Sequence, residues 1–474
     1  MVDLKRVFIK GGVLSPSELK QIINYAESLG LNALHFGSRQ DIIFPEHEIN
    51  KEIDNQFPKL STGMISDLTY QNIVCSYVSA DIFPSTSWLN GATYLYILES
   101  FKHQPKLKIN ITDPKQQFSP LFSGQLNFIA SSHEDYWYLN LKLPHWETSV
   151  SFPILIYSWD ISKIAKILEE TYQDADDVDE LFMLINNQIE TNSRTIETEL
   201  KVDFKPFPYY EGMNKMGINE YWLGLYWRNN KYDLDFLNVF CDFCLDNRIG
   251  KICITPWKSF IVKGIPRESK LALEKLLGKS GINVRHSLLE LNWHLPVNDD
   301  EALALKKFIV RNFDQNDIST YGLTFGISNK GQNKIYFTSI VIEKNTSPNI
   351  VKDFEVRPTY NVLYCENFNP NTQKYLVYAQ DVDKIELPGL LMELSKLYFE
   401  KLGENEDENN AVKKQEQTIE KEVYQCTACL TVYDAEFGDD KFDVIPGTLF
   451  KDIPSEYVCS VCEASKTAFE LVKI

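Results

Sequence analysis

The sequence predicts an α+β protein: a large body made of two similar halves, followed by a small metal-stapled domain. Three observations carry this. An amphipathic helix followed by strand-like segments occurs near residue 15 and again near residue 234. Two Cys-x-x-Cys pairs crowd the C-terminal end of a chain that otherwise uses cysteine sparingly. Between body and cysteines, "GENEDENNAVKKQEQTIEKE" (403–422) has no aromatic residue and little apolar content.

In the first half, Ser15-Pro16-Ser17-Glu18 is a capping box with proline at the first helical position. Leu19, Ile22, Ile23 and Ala26 follow at helical spacing, and Gly30 is a natural stop. "LNALHFGSRQDIIF" then reads as strand. In the second half, Leu237, Phe240, Cys241, Cys244 and Leu245 form the helical stripe and "GKICITPWKSFIV" the strand, which places Ser38 and Thr255 at equivalent positions. Two weaker echoes pair "TYQNIVCS" with "TYNVLYCE", and "YWYLNLKLP" with "LLELNWHLP". Matching parts in two halves imply a pseudo-two-fold body rather than a solenoid. The expected division is 1–210, 211–402, a flexible charged tether over 403–422 that can turn helical from Ala411, and a final domain over 423–474.

At 474 residues, 44% hydrophobic and 24% charged, the chain is an ordinary globular protein of two or three domains. Its net charge of -18 argues against nucleic acid, whose phosphates it would repel, and is compatible with a basic partner. No apolar run approaches the ~20 residues that span a bilayer. The opening "MVDLKRVFIKGG" lacks the apolar stretch of a signal peptide, so a cytoplasmic location is expected. Nine cysteines, four of them in CxxC pairs at one end, suit metal chemistry in a reducing compartment.

Cys426 with Cys429, and Cys459 with Cys462, can each grip one ion from adjacent corners. Together they complete a tetrahedral all-sulfur site for zinc or iron. A segment this short cannot build a large core, so a metal staple with stacked aromatics is its expected solution, here Tyr424, Tyr433, Phe450, Tyr457 and Phe469.

With Pro446-Gly447-Thr448, Phe450 and Pro454 between the two pairs, residues 423–474 resemble rubredoxin. The resemblance implies one iron ion, Fe(Cys)4, that shuttles a single electron. Leu430 and Glu463 stand where that family usually has glycine, and Ser460 where it has proline. A non-glycine residue must there accept a strained positive φ or give up N–H···S bonds.

The body, over roughly residues 6–400, resembles the siroheme-containing nitrite and sulfite reductases with their ferredoxin-like halves. "GGVLSPSELKQIINYAESLGLNALHFGSRQDI" matches the first half, with Ser38-Arg39-Gln40 at the family's Thr-Thr-Arg-Gln step, and "ITPWKSFIVKGI" matches the second. "PKLKI" looks like the family's lysine strand, with Lys106 and Lys108 on one face by strand alternation. The resemblance implies that Arg39, Lys106 and Lys108 face a siroheme and its anion. The match breaks at the cluster ligands. Cys365 answers to one, Asn371 stands where the next belongs, and no Cys-x3-Cys exists in the chain. Gln71 replaces an anion-binding arginine, and the bulky "YWYLNLKLP" would crowd a tetrapyrrole. Neither siroheme nor a 4Fe-4S cluster is therefore expected.

Cys241-x-x-Cys244 lies on the apolar stripe and reads as core, as do Cys75, Cys253 and Cys365. His35 reads as structural and Arg194 as part of a solvated rim. No glycine-rich dinucleotide fingerprint follows a strand. The expected function is one-electron transfer by the iron domain, with the reductase-like body as a catalytically inactive docking module in nitrate, nitrite or sulfite assimilation. Its partners would be a reductase subunit and an electron donor, with neither nucleic acid nor membrane. A siroheme-dependent reductase fed by the iron, or a siroheme or reductase assembly factor, are the alternatives.

Overall fold

The computed structural model describes residues 4–45, 62–64, 71–330, 335–345, 350–351, 354–355, 357–416 and 422–473. The Pro16–Ser28 helix begins at the expected capping box: Ser15 Oγ accepts from the Glu18 amide (3.2 Å) and Glu18 Oε2 from the Ser15 amide (2.6 Å). Its stripe of Leu19, Ile22, Ile23 and Ala26 is buried. The matching helix of the second half, Leu234–Asp246, is capped by Asp233, whose Oδ1 accepts from the Phe236 amide at 2.9 Å. It buries Leu237, Phe240, Cys241 and Cys244, whereas Leu245 falls off the stripe and is exposed. The two helices pack on each other, and Lys20 reaches across to Asp242.

Two five-stranded sheets flank this pair. One runs Tyr232–Asp233, Ala33–Phe36, Ile42–Pro45, Leu4–Val7, Thr62–Met64; the other runs Val13–Leu14, Ile252–Ile254, Phe260–Pro266, Glu220–Leu225, Gly212–Met216. The end strand of each sheet comes from the opposite half: Val13 and Leu14 pair with Cys253 and Ile252, and Tyr232 and Asp233 with Leu34 and Ala33. This reciprocal exchange ties the halves together with backbone hydrogen bonds.

The tight turns after Phe36 and after Ile254 are equivalent. The Gly37 amide bonds Asp41 O, and the Thr255 amide bonds Ser259 O, at 2.8 and 2.9 Å. Gln40 and Lys258 occupy the same left-handed position, φ 59 and 57. Thr255 therefore matches Gly37, and Ser38 matches Pro256, a shift of one from the sequence expectation.

Two further sheets, one of seven strands and one of five, repeat one another as well. Ile73–Cys75, Ile109–Thr112 and Leu126–Ala130 are parallel neighbours, followed antiparallel by Tyr136–Leu141 and Ile154–Tyr157. Trp293–His294, Phe325–Asn329 and Ile340–Lys344 are likewise parallel, followed antiparallel by Tyr360–Cys365 and Tyr375–Val382. A helix crosses between the first two strands in each, Gly91–Ser100 and Asp300–Gln315. Strand order thus matches "TYQNIVCS" with "LNWHLP" and "YWYLNL" with "TYNVLYC". The sequence echoes had crossed these partners, because strands of two to six mostly apolar residues resemble one another more than they mark position.

The chain divides into two compact units, 1–398 and 399–474. The last helix spans Leu387–Glu416, so residues 403–416 continue a helix where a flexible tether was expected. The second unit carries a three-stranded sheet, Val432–Tyr433, Glu422–Cys426, Phe469–Lys473. No described helix is long and apolar enough to cross a membrane.

Candidate metal centre

Each Cys-x-x-Cys pair sits on a tight turn closed by its own backbone. The Leu430 amide donates to Cys426 O (2.8 Å) and the Cys426 amide to Thr431 O (2.8 Å). The second turn repeats this, from Glu463 to Cys459 O (2.9 Å) and from Cys459 to Ala464 O (2.8 Å). The two turns bring all four Sγ atoms within 4.8 Å of one another. Cys426 and Cys462 sulfurs are 3.7 Å apart, and those of Cys429 and Cys459 3.5 Å. A tetrahedron with ~2.3 Å metal–sulfur bonds has edges of ~3.8 Å, so the thiolates fit a single tetrahedral ion. Among the described residues no other group of three or more His, Cys, Asp or Glu side chains converges in this way.

Cys426 and Cys459 are buried, Cys462 is exposed, and the site therefore reaches the surface on one side. Behind it lie Tyr433, Val444, Phe450, Ile453, Tyr457 and Phe469. Tyr424 stacks on Phe450 with ring centroids 4.1 Å apart at 15°. Tyr457 donates to Asp439 Oδ2 at 2.7 Å, which satisfies its hydroxyl at the core edge. The hydroxyl and the amide of Thr431 both act on the Cys429 sulfur and lower its pKa to about 6, favouring the thiolate that binds metal.

Leu430 and Glu463 keep the family's backbone conformation, at φ 62 and 60. The chain accepts the strained form, and in return the following amides, Thr431 and Ala464, remain directed at the Cys429 and Cys462 sulfurs. Replacing Leu430 or Glu463 by glycine should therefore raise the stability of the metal-loaded domain by about 1 kcal/mol each, after the entropic cost of glycine. Denaturant unfolding followed through the metal–thiolate absorption tests this; a loss of stability in both variants would mean that their side chains supply contacts worth more than the strain.

The body holds a separate cavity of about 760 Å³ where the two equivalent turns meet the sheet that contains Phe325–Asn329. Gly37, Ser38, Arg39 and Asp41 from the first turn and Lys258 from the second line it, with Arg6, Gln71, Lys108, His294 and Thr338. A Cβ at Gly37 would fall 2.0 Å from Asp41 Oδ1, so any side chain there would have to displace that carboxylate.

Arg39 spends its guanidinium on the protein: Nη2 donates to Asn72 O (2.6 Å) and Ile109 O (2.8 Å), Nη1 to Asn110 Oδ1 (2.8 Å). Asn72 returns the clamp, its Nδ2 donating to Arg39 O and Gln40 O at 2.6 and 3.0 Å. Gln40 is fully buried and bridges the halves, Nε2 donating to Cys75 O (3.1 Å) and Ile254 O (2.9 Å).

Lys108 lines the cavity, and burial followed by the positive charges of Arg39 and Arg6 lowers its pKa to about 8. Lys106 does not join it. The strand begins only at Ile109, so Lys106 lies in an exposed bend outside the alternation that was to place both lysines on one face.

Arg6 and Lys258 are cavity cations that sequence reading passed over. Alternation along Leu4–Val7 places Leu4 and Arg6 on one face, and Lys258 stands at the turn position matching Gln40, so a signal for each was present. Arg6 faces Asp41 at 3.6 Å.

Cys365 is buried and its thiol donates to Thr338 O at 3.3 Å, with burial raising its pKa to about 12. Residues 136–144 do not line the cavity: Trp137, Leu139 and Leu141 face the core instead, so the expected crowding by "YWYLNLKLP" is absent there. Cys75, Cys241, Cys244, Cys253 and His35 are buried, and Arg194 is exposed beside Glu197.

Residues 423–469 match the rubredoxin family. The high molecular weight rubredoxin of Moorella thermoacetica is 47% identical over 49 residues, which are 10% of this chain and 21% of that protein. A Nostoc rubredoxin is 42% identical over 57 residues, 11% of this chain and 51% of the relative. The rubredoxin of Acinetobacter baylyi is 37% identical over 51 residues, 11% of this chain and 94% of its own length. The chain thus spans about half or less of the first two relatives. The body is similar in fold to the solved Mycobacterium tuberculosis NirA protein, with a TM-score of 0.64 at 13% identity over 82% of this chain and 79% of that one. At that identity the likeness speaks for fold alone. Through residues 423–469 the chain belongs to the rubredoxin family, whose four-cysteine iron and electron-transfer domain it joins to a body of nitrite/sulfite reductase-like fold.

Proposed function

We propose that the protein is a one-electron carrier whose iron domain serves a separate redox partner, and whose reductase-fold body docks that partner without performing reductase chemistry. The observation that carries the reading is the convergence of four thiolates, from Cys426, Cys429, Cys459 and Cys462, into one closed tetrahedral set. Iron held by four thiolates supplies one-electron redox chemistry and has no open position for a substrate. The chain's own residues set its surroundings: the aromatic core excludes water from behind, the Thr431 and Ala464 amides face the sulfurs, and exposed Cys462 marks the side from which an electron leaves.

Inactivity of the body rests on its side chains. The residues present do not fit a siroheme coupled to a cluster. Cys365, the one candidate cluster ligand, is a buried neutral thiol bonded to Thr338 O, and no Cys-x3-Cys exists to complete the set. Arg39 has its guanidinium tied to Asn72, Ile109 and Asn110, and Lys106 lies outside the cavity. Arg39, Lys106 and Lys108 are therefore not an assembled site for siroheme. Lys108, Arg6 and Lys258 line the cavity together with the carboxylates of Asp41, Asp299, Asp300 and Glu301. Kinship of fold suggests nitrate, nitrite or sulfite assimilation as the setting, and unpaired thiols suit the cytoplasm.

The test is to express the full chain with siroheme synthesis enabled, record its visible spectrum, and assay nitrite and sulfite with a strong reductant. The expected result is an iron–thiolate spectrum alone, with turnover only when a separate reductase is added. A siroheme Soret band with turnover that Lys108→Met abolishes would establish the reductase instead. A colourless protein with stoichiometric zinc after growth in iron-replete medium would overturn the carrier.

A further inference from the structure

The body carries an aromatic platform that its core does not need. Alternation along Tyr136–Leu141 sends Trp137 into the core and Tyr136 outward. Tyr136 stands directly opposite Tyr157 on the neighbouring strand, with ring centroids 5.5 Å apart. Two residues beyond Tyr157, Trp159 is 50% exposed, and Tyr96 from the Gly91–Ser100 helix, 37% exposed, packs on it with centroids 4.0 Å apart. Four rings, from two strands, the turn after the second strand and a helix, thus share one patch of surface.

The patch is held rigid. Asp135 sits at the turn entering the Tyr136 strand with φ 63, and its carbonyl accepts from the Ser158 amide at 2.8 Å. The Ser158 hydroxyl lies 3.1 Å from that carbonyl and 3.2 Å from Asp135 Oδ1, and itself accepts from Trp137 Nε1 at 2.8 Å. A platform already ordered loses little freedom when it binds.

The patch is also electronegative. Asp160 is paired with Lys163 at 2.9 Å, but among the described residues no salt bridge reaches Asp135. Burial, and then the carboxylates of Asp135 and Asp160 beside it, raise the pKa of the Tyr157 hydroxyl. The whole chain carries a net charge of -18.

We propose that Tyr96, Tyr136, Tyr157 and Trp159, with the carboxylate of Asp135, form a docking site for arginine side chains of a basic partner protein. Aromatic faces attract cations, and the planar, weakly hydrated guanidinium stacks on them better than an ammonium does. Tyrosine and tryptophan are also the residues on which interface energy concentrates. The inference names the surface by which the body would dock a partner. It does not depend on which metal the C-terminal domain holds, so zinc-loaded protein should bind equally well.

The experiment titrates full-length protein with an acetylated, amidated arginine tripeptide in roughly 0.15 M salt, followed by calorimetry. Saturable binding is expected, with the lysine tripeptide weaker by roughly threefold or more. Trp159→Ala should weaken arginine binding about tenfold and Asp135→Asn about threefold, while Trp159→Phe stays within about twofold of wild type. Both tryptophan changes lie at an exposed side chain, and an unchanged thermal melt verifies the fold. Equal affinity of Trp159→Ala and wild type, equal affinity for the two tripeptides, or no saturable binding would each overturn the site.

Discussion

Replacing Cys459 by alanine should abolish the visible absorption of the protein and unfold residues 423–473, while residues 4–398 keep their cooperative melt. Cys459 is buried and its sulfur lies 3.5 Å from that of Cys429, so its loss opens one corner of the tetrahedron. Among the described residues, the core cluster behind it holds six buried apolar side chains besides the two buried cysteines. A core of that size supplies a few kcal/mol at most, whereas a structural tetrathiolate or mixed site in small domains contributes on the order of 10–16 kcal/mol apparent binding energy. Metal loss and unfolding should therefore coincide. Cys241→Ala and Cys244→Ala are the controls: both thiols are buried in the helix pair of the body, and neither change should alter the colour. Absorption, metal content and limited proteolysis check the result together. Retained protease resistance after complete metal loss would mean that the aromatic stack alone holds the domain.

The metal centre was legible because its information is local. Each Cys-x-x-Cys turn closes on itself, so spacing alone places two sulfurs, and the stacked aromatics fall within the same fifty or so residues. The helix pair was legible for the same reason: the Ser15 capping box and the stripe of Leu19, Ile22, Ile23 and Ala26 are short-range patterns. What remained hidden depends on register and on exchange between halves. No sequence pattern says that Val13–Leu14 pairs with Ile252–Ile254 while Tyr232–Asp233 pairs with Ala33–Phe36. Lys106 was misplaced because alternation was extended three residues before the strand begins at Ile109. Residues 403–416 carry Glu, Lys, Gln and Ala, all good helix formers, and a helix entering from Leu387 needs no new nucleus to continue through them.

Arg39 spends its guanidinium on protein acceptors around the turn, and stability should reveal it. Arg39→Met should cost about 3–5 kcal/mol, because it strips a charged donor from Asn72 O, Ile109 O and Asn110 Oδ1 within a part-buried site. Lys108→Met, at the same cavity, should do the opposite. Burial and the neighbouring arginines lower the Lys108 pKa from 10.5 to about 8. Below pH 8 both folded and unfolded chains carry the proton, and the folded state bears the full cost of the poorly solvated charge. Between about pH 8 and 10.5 the unfolded chain holds a proton that the folded one has released, so wild-type stability rises relative to the variant. Above 10.5 the difference closes. Lys108→Met should therefore be more stable than wild type at pH 7, on the order of 2–3 kcal/mol, with the gain shrinking as the pH is raised through 8 toward 10. Urea unfolding of both variants at pH 7 and pH 10 measures this. A neutral Arg39→Met paired with a destabilising Lys108→Met would reverse the assignment: Arg39 would then be free to face a ligand, and Lys108 would be the residue that holds the turn.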